Sequence, residues 1–90
     1  MKYIIYIPDN VEDDILRHRK SGRKSVLVKI NRLLTELEEH PATGTGKPEY
    51  KKYDAFWARH ISDKHRLIYE ICEERMSVKI LSAWGHYDDK

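Results

Sequence analysis

The sequence predicts an α+β domain, an antiparallel sheet with a helical hairpin packed on one of its faces. Three observations lead there. A short β-branched and aromatic run opens the chain. Two segments with apolar residues at helical period follow, joined by a tight turn. The last third holds three strand-like runs separated by polar turns. In order this is β-α-α-β-β-β, with no internal repeat and no composition break, so residues 1–90 are expected to form a single domain.

Residues 2 to 7 (Lys-Tyr-Ile-Ile-Tyr-Ile) read as a short strand that Pro8 ends, because proline cannot donate to a ladder. Asp9, followed three residues later by Glu12, resembles a capping box. A first helix is expected from about Asp9 to Lys20, burying Val11, Ile15 and Leu16, and Ser21-Gly22 should end it. The second helix is the clearest element. Val26, Ile30, Leu33, Leu34 and Leu37 make an apolar stripe that Leu27 broadens, and His40-Pro41 terminates it. The short turn between the two helices predicts an antiparallel hairpin.

Residues 41–53 contain Gly44, Gly46, Pro41 and Pro48, which argue for one long loop without regular structure. A loop of this length in so small a domain tends to carry function. Ala55–Ile61 and Arg66–Cys72 are two strands linked by Ser62-Asp63-Lys64-His65, and Met76–Trp84 is the last strand after the turn Glu73-Glu74-Arg75. In the middle strand Leu67, Tyr69 and Ile71 share a core face, while Arg66, Ile68, Glu70 and Cys72 make the other face mixed.

The composition, 40% apolar and 36% charged, is that of a folded globular chain and excludes a disordered one. No apolar run approaches the roughly 18 residues of a membrane span, and the first eight residues lack the features of a secretory signal. No membrane partner is expected. Cys72, the single cysteine, has no intramolecular partner, which fits a reducing cytoplasm. His18, His40, His60, His65 and His86 are scattered without metal-ligand spacing, and no phosphate-loop or dinucleotide glycine pattern is present. Neither a metal nor a cofactor is expected.

The net charge is only +2, but its distribution is uneven. Arg17, Arg19, Lys20, Arg23, Lys24, Lys29 and Arg32 form a strip without an acid between them. Such a strip attracts a phosphate backbone or an acidic protein.

Glu49 in the loop, Arg66 on the middle strand and His86-Tyr87 near the C-terminus form a set of types suited to cutting RNA. RNA needs no metal for this, because its own 2′-hydroxyl can attack the adjacent phosphorus. The 2′-OH proton must then be removed, the departing 5′-oxygen protonated and the phosphoryl charge stabilised. Glu49 or His86 can move protons, and Arg66 can hold phosphate with its fork. Lys47, Lys51 and Lys52 add charge, and Tyr87, Tyr50 or Tyr53 can stack on a base.

Gly44-Thr45-Gly46-Lys47-Pro48-Glu49, Phe56-Trp57-Ala58-Arg59, His65-Arg66-Leu67-Ile68-Tyr69 and the terminal His86-Tyr87 closely resemble the YoeB (Txe/YoeB) toxins. These belong to the RelE/ParE superfamily of bacterial toxin–antitoxin modules. The resemblance runs nearly end to end. It implies a RelE-like fold and a ribosome-dependent mRNA endonuclease that enters the A site, leaving a 2′,3′-cyclic phosphate and a 5′-hydroxyl. It also implies an acidic cognate antitoxin of the YefM kind that blocks the site, and a toxin that often dimerises to grip the ribosome. Carried over, Glu49 matches the general base, Arg66 the phosphate-stabilising arginine, His86 the general acid and Tyr87 a substrate-positioning aromatic. Lys51 matches a loop lysine beside the site. Arg59 and Lys47 are expected to contact RNA. Where the family carries a second arginine this chain has His60, which shares a face with Phe56 and Ala58 and would serve as a weaker, pH-dependent cation. Asp88 and Asp89 place negative charge after His86-Tyr87. Two other readings on the same fold are a toxin that binds gyrase without chemistry, like the ParE branch, and an inactive domain that keeps only antitoxin binding.

Overall fold

The apolar stripes place the helices where the sequence predicts them. In the computed structural model, which describes residues 2–51 and 55–85, α1 spans Asp9–Lys20 and α2 spans Lys24–Leu37. Val26, Ile30, Leu33 and Leu37 of α2 are buried together with Val11 of α1. Leu16, expected in the core, is 42% exposed, and His18, one helical position set further along the Val11 face, is buried instead. The capping box does not form. Pro8 is the N-cap, its carbonyl accepts the Val11 and Glu12 N–H groups, and Asp9 and Glu12 serve only as acids in the positive first turn. At the other end Gly22 takes φ +78°, the left-handed turn anticipated after the helix.

The strands are β1 (Ile4–Tyr6), β2 (Glu49–Lys51), β3 (Phe56–His60), β4 (Arg66–Cys72) and β5 (Ser77–Ser82), in one sheet of order β1-β5-β4-β3-β2. β2 through β5 are antiparallel neighbours. β1 lies parallel to β5, with Ile5 across from Val78, so the sheet is mixed rather than antiparallel. The chain passes through both helices and three strands before β5 meets β1, and a connection that long permits a parallel partner. The expected featureless loop also contains a strand. β2 has poor intrinsic propensity and forms because β3 offers it an edge, with Tyr50 across from Trp57.

The helices cover one sheet face, where Leu67, Tyr69, Val78 and Ile80 join the apolar residues of α1 and α2. Along β3 the side chains alternate, so Trp57 and Arg59 point to this covered side. Arg59 is completely buried. Its Nε donates to the Tyr69 hydroxyl at 2.9 Å, and that hydroxyl donates to the Pro41 carbonyl at 2.8 Å. Nη2 donates to the carbonyls of His40 (2.5 Å) and Thr43 (2.7 Å), and Nη1 to the carbonyl of Thr45 (3.3 Å). Nη1 also pairs with Glu36 Oε1 of α2 at 3.1 Å. The expectation that Arg59 contacts RNA is therefore corrected. Its donors are spent inside the protein, on the loop that leads to Glu49.

Glu36 completes the clasp from the helix side, accepting the Thr45 N–H at 2.8 Å and the Thr45 hydroxyl at 2.5 Å. Hydrogen bonds from Thr45, aided by the Arg59 charge, lower the Glu36 pKa from its ordinary 4.5, against the opposing effect of burial. Gly44 is required here, because at φ +113° its missing side chain would collide with the Glu36 carboxylate.

Removing one partner of a largely buried charge pair leaves the other uncompensated. Glu36→Ala should therefore lower the unfolding free energy at pH 7 by about 2–3 kcal/mol in urea titrations. Because the folded-state pKa is lowered, this contribution is complete above 4.5 and is lost as pH falls through the lowered value. The gap between wild type and variant should narrow on acidification below that range, and a constant gap would contradict the ion pair.

Candidate functional site

The face of β2, β3 and β4 turned away from the helices gathers the residues singled out for chemistry. Glu49 lies across from Ala58 and Lys51 across from Phe56. Ala58 lies across from Ile68, and His60 across from Arg66. Directly opposed residues share a face with Cβ atoms about 5 Å apart, and diagonal neighbours are about 7–8 Å apart. His60 and Arg66 are thus adjacent, and Glu49 stands diagonally beside His60. Ala58 and Ile68, at 5% and 4% exposure, form a small apolar floor between them, outside the main core cluster.

Two left-handed residues deliver Glu49 to this face. Gly46 at φ +86° and Lys47 at φ +53° reverse the chain after the Arg59 clasp. The Gly46 carbonyl accepts the His60 N–H at 2.7 Å. A Cβ on Gly46 would come within 2.9 Å of the His60 carbonyl, so only glycine permits so close an approach. Lys47 has no such excuse and holds a conformation costing about 1 kcal/mol, strain of the kind found where a side chain must be aimed.

Each group has a definable state. The Glu49 side chain is 62% exposed and pairs with Lys51 Nζ at 3.2 Å. Arg66 is half-buried, and among the described residues every hydrogen bond of its guanidinium uses Nη1, chiefly to the carbonyls of Ser62 (2.5 Å) and His65 (3.0 Å). These bonds fix the fork while leaving the Nε–Nη2 side for a bidentate anion. Burial holds the His60 pKa below its ordinary 6.5, and the charges of Arg66 and Lys47 push the same way against Glu49. His60 is consequently neutral at pH 7. Arg66, Lys47, Glu49 and Lys29 of α2 thus share one electrostatic environment with His60.

The structure thus brings Glu49, Lys51, His60 and Arg66 to one face, with exposed Lys47 in the turn beside it. It turns Arg59 to the other. His86 and Tyr87, like Lys52 and Tyr53, lie outside the described residues. Gly85, the residue before His86, is described, and its carbonyl accepts the Arg66 N–H at 2.9 Å. Sequence reasoning missed Glu36 and His65, which hold the two segments leading into the site. Neither has a local signal, since Glu36 reads as helix surface and His65 as part of a polar turn. Cys72 stands exposed at the end of β4. No three His, Cys, Asp or Glu side chains are grouped to hold a metal among the described residues. No helix among them is long and apolar enough to cross a membrane.

Comparisons with known proteins identify the chain's relatives. Residues 7–87 match the model of the YoeB-like toxin of bacterial type II toxin–antitoxin systems. The chain is 38% identical to toxin YoeB of Streptomyces coelicolor over 83% of its own length and 88% of that protein. Its fold superposes on the YoeB/ParE toxin from Agrobacterium tumefaciens with a TM-score of 0.83 at 26% identity, covering 93% of this chain and 99% of that one. The Staphylococcus aureus YoeB structures, one of a YoeB–YefM complex and one of a YoeB dimer, give TM-scores of 0.76 and 0.80 at 29% identity, covering 97% of this chain and 100% of theirs. With a helix pair on one face of the sheet and these matches over most of its length, the chain belongs to the YoeB-like family of toxins of bacterial type II toxin–antitoxin systems.

Proposed function

We propose that this chain is a metal-independent endoribonuclease that cuts mRNA in the ribosomal A site and so inhibits translation in the cytoplasm. The observation that carries the reading is the convergence of Glu49, His60 and Arg66 on one face of the sheet, with the Arg66 N–H bonded to the carbonyl of Gly85, the residue before His86. Glu49 takes the proton of the 2′-hydroxyl as the 2′-oxygen–phosphorus bond forms. The phosphorus–5′-oxygen bond breaks, and His86 supplies the proton that the 5′-oxygen needs. Arg66, its fork fixed by the turn carbonyls, stabilises the charge on the phosphoryl oxygens. Lys47 and Lys51 raise the local positive potential, His60 lines the phosphate path, and Tyr87 stacks on a base. The products are a 2′,3′-cyclic phosphate and a 5′-hydroxyl, which balances the step without a cofactor.

The partners follow from charge and from relatives. Six of the strip cations, Arg17, Arg19, Lys20, Arg23, Lys24 and Arg32, are exposed along α1, α2 and their connection, with Lys29 half-buried among them. This is a surface for ribosomal RNA. A YefM-like acidic antitoxin and a homodimer are supported by the Staphylococcus aureus YoeB structures.

In a translating extract the wild-type chain should cut mRNA, while Glu49→Gln and Arg66→Ala each cut about 100-fold more slowly and His86→Gln loses a similar factor. Full activity in all three variants would sink the reading, and gyrase-dependent DNA breaks with intact mRNA would replace it. Reversing Lys24, Lys29 and Arg32 to Glu should abolish ribosome co-sedimentation at physiological salt, and unchanged co-sedimentation would remove the strip from the docking surface.

A further inference from the structure

We infer that His65 is a positioning residue, which fixes the Gly85 backbone, one residue before the proposed acid His86, by accepting the Gly85 N–H. This rests on the endonuclease reading given above and adds a residue to it. The Gly85 amide donates to His65 Nδ1 at 2.8 Å, and the Gly85 carbonyl accepts the N–H of Arg66 at 2.9 Å. Both polar groups of Gly85 are thus bound by consecutive residues, and one of them is the proposed phosphate arginine. The segment leading to His86 is indexed to Arg66 through one residue of backbone.

The rest of the segment is held from α1. The Ala83 N–H donates to Asp14 Oδ2 at 3.0 Å, and the Ala83 carbonyl meets His18 Nε2 at 2.8 Å. Trp84 lies between, its ring 4.6 Å from that of His18 and 4.5 Å from that of His65. The Arg17 guanidinium covers the Trp84 ring at 3.8 Å, and the His18 and His65 rings meet edge-to-face at 4.6 Å. Both imidazoles are nearly or wholly buried. An acceptor at Nδ1 requires that this nitrogen carry no proton, so the bond selects one form of the His65 ring. Gly85 at φ +83° turns the chain where the bond is made, a conformation that suits glycine. His65 does not touch substrate in this scheme. Its contribution is the position of Gly85, whose N–H it accepts and which directly precedes the proposed acid His86, and a misplacement of about 1 Å at a reacting group costs on the order of 100-fold in rate.

The test compares His65→Asn, whose side-chain oxygen can reach the Nδ1 position, with His65→Gln and His65→Leu, which offer no acceptor there. Two readouts are taken on the full chain: hydrogen exchange of the Gly85 amide by NMR, and mRNA cleavage in the translating extract over a range of ribosome concentrations. The wild type and His65→Asn should keep a protected Gly85 amide and near-normal cleavage. His65→Gln and His65→Leu should lose that protection and cut about 100-fold more slowly at saturation, with half-saturation unchanged. If His65→Leu fails to fold, the Asn and Gln pair decides. Equal protection or equal cleavage rates in that pair would overturn the positioning role. A wild type that never cuts mRNA but still protects Gly85 through His65 would overturn the endonuclease reading, and the catalytic purpose of His65 with it.

Discussion

A single buried guanidinium holds the two halves of this protein in register. Arg59 lies at the end of β3 with no solvent exposure, and its donors reach the carbonyls of residues 40, 43 and 45, the Tyr69 hydroxyl and the Glu36 carboxylate. A buried charge is tolerable only when every hydrogen finds a partner, and here the partners come from α2, from β4 and from the irregular segment between α2 and β2. That segment has almost no apolar side chains with which to pack. Its backbone carbonyls are satisfied by the arginine, so the loop acquires one conformation without a core of its own. The glycine turn that follows then delivers Glu49 to the far face of the same strand.

Strand alternation explains why adjacent residues have unrelated duties. Arg59 points toward the helices and organises the loop, while His60 points away and joins Arg66 and Glu49. The neighbouring residues Arg59 and His60 are thus divided between structure and surface. His60 takes no part in the clasp. It places no permanent charge on the far face, because burial with neighbouring cations keeps the imidazole neutral at pH 7. Arg66 and the lysines of the turn and β2 must then supply the positive potential that remains.

Much of this was legible in the residues, and what was not shares one cause. The stripe of Val26, Ile30, Leu33 and Leu37 announces α2 because helical periodicity is local, and Gly22 ends α1 for an equally local reason. Glu49, Arg66 and His60 could be named as types, but Glu49 was expected in an irregular loop, and only its pairing in β2 places it on the face of His60 and Arg66. The direction of β1 could not be read, since it depends on pairing with a strand more than seventy residues away. β2 was hidden among glycines and prolines because the edge of β3, not its own propensity, makes it a strand. Arg59 beside an aromatic pair reads naturally as an RNA contact. Only the position of Glu36, Tyr69 and the loop carbonyls turns it into an internal clasp. His18 and His65 are buried for the same reason, through contacts with the segment 83–85, which lies 65 residues from His18 and 20 from His65.

The clasp is open to direct observation. Nitrogen-15 NMR of the arginine side chains in the intact chain would report whether the Arg59 guanidinium is held or free. Bound to carbonyls on both terminal nitrogens, it should show separate Nη1 and Nη2 resonances, slow rotation about the Nε–Cζ bond and hydrogens that resist exchange with water. A single averaged Nη signal exchanging as fast as that of the exposed strip arginines would contradict the clasp, and with it the account of how Glu49 reaches Arg66.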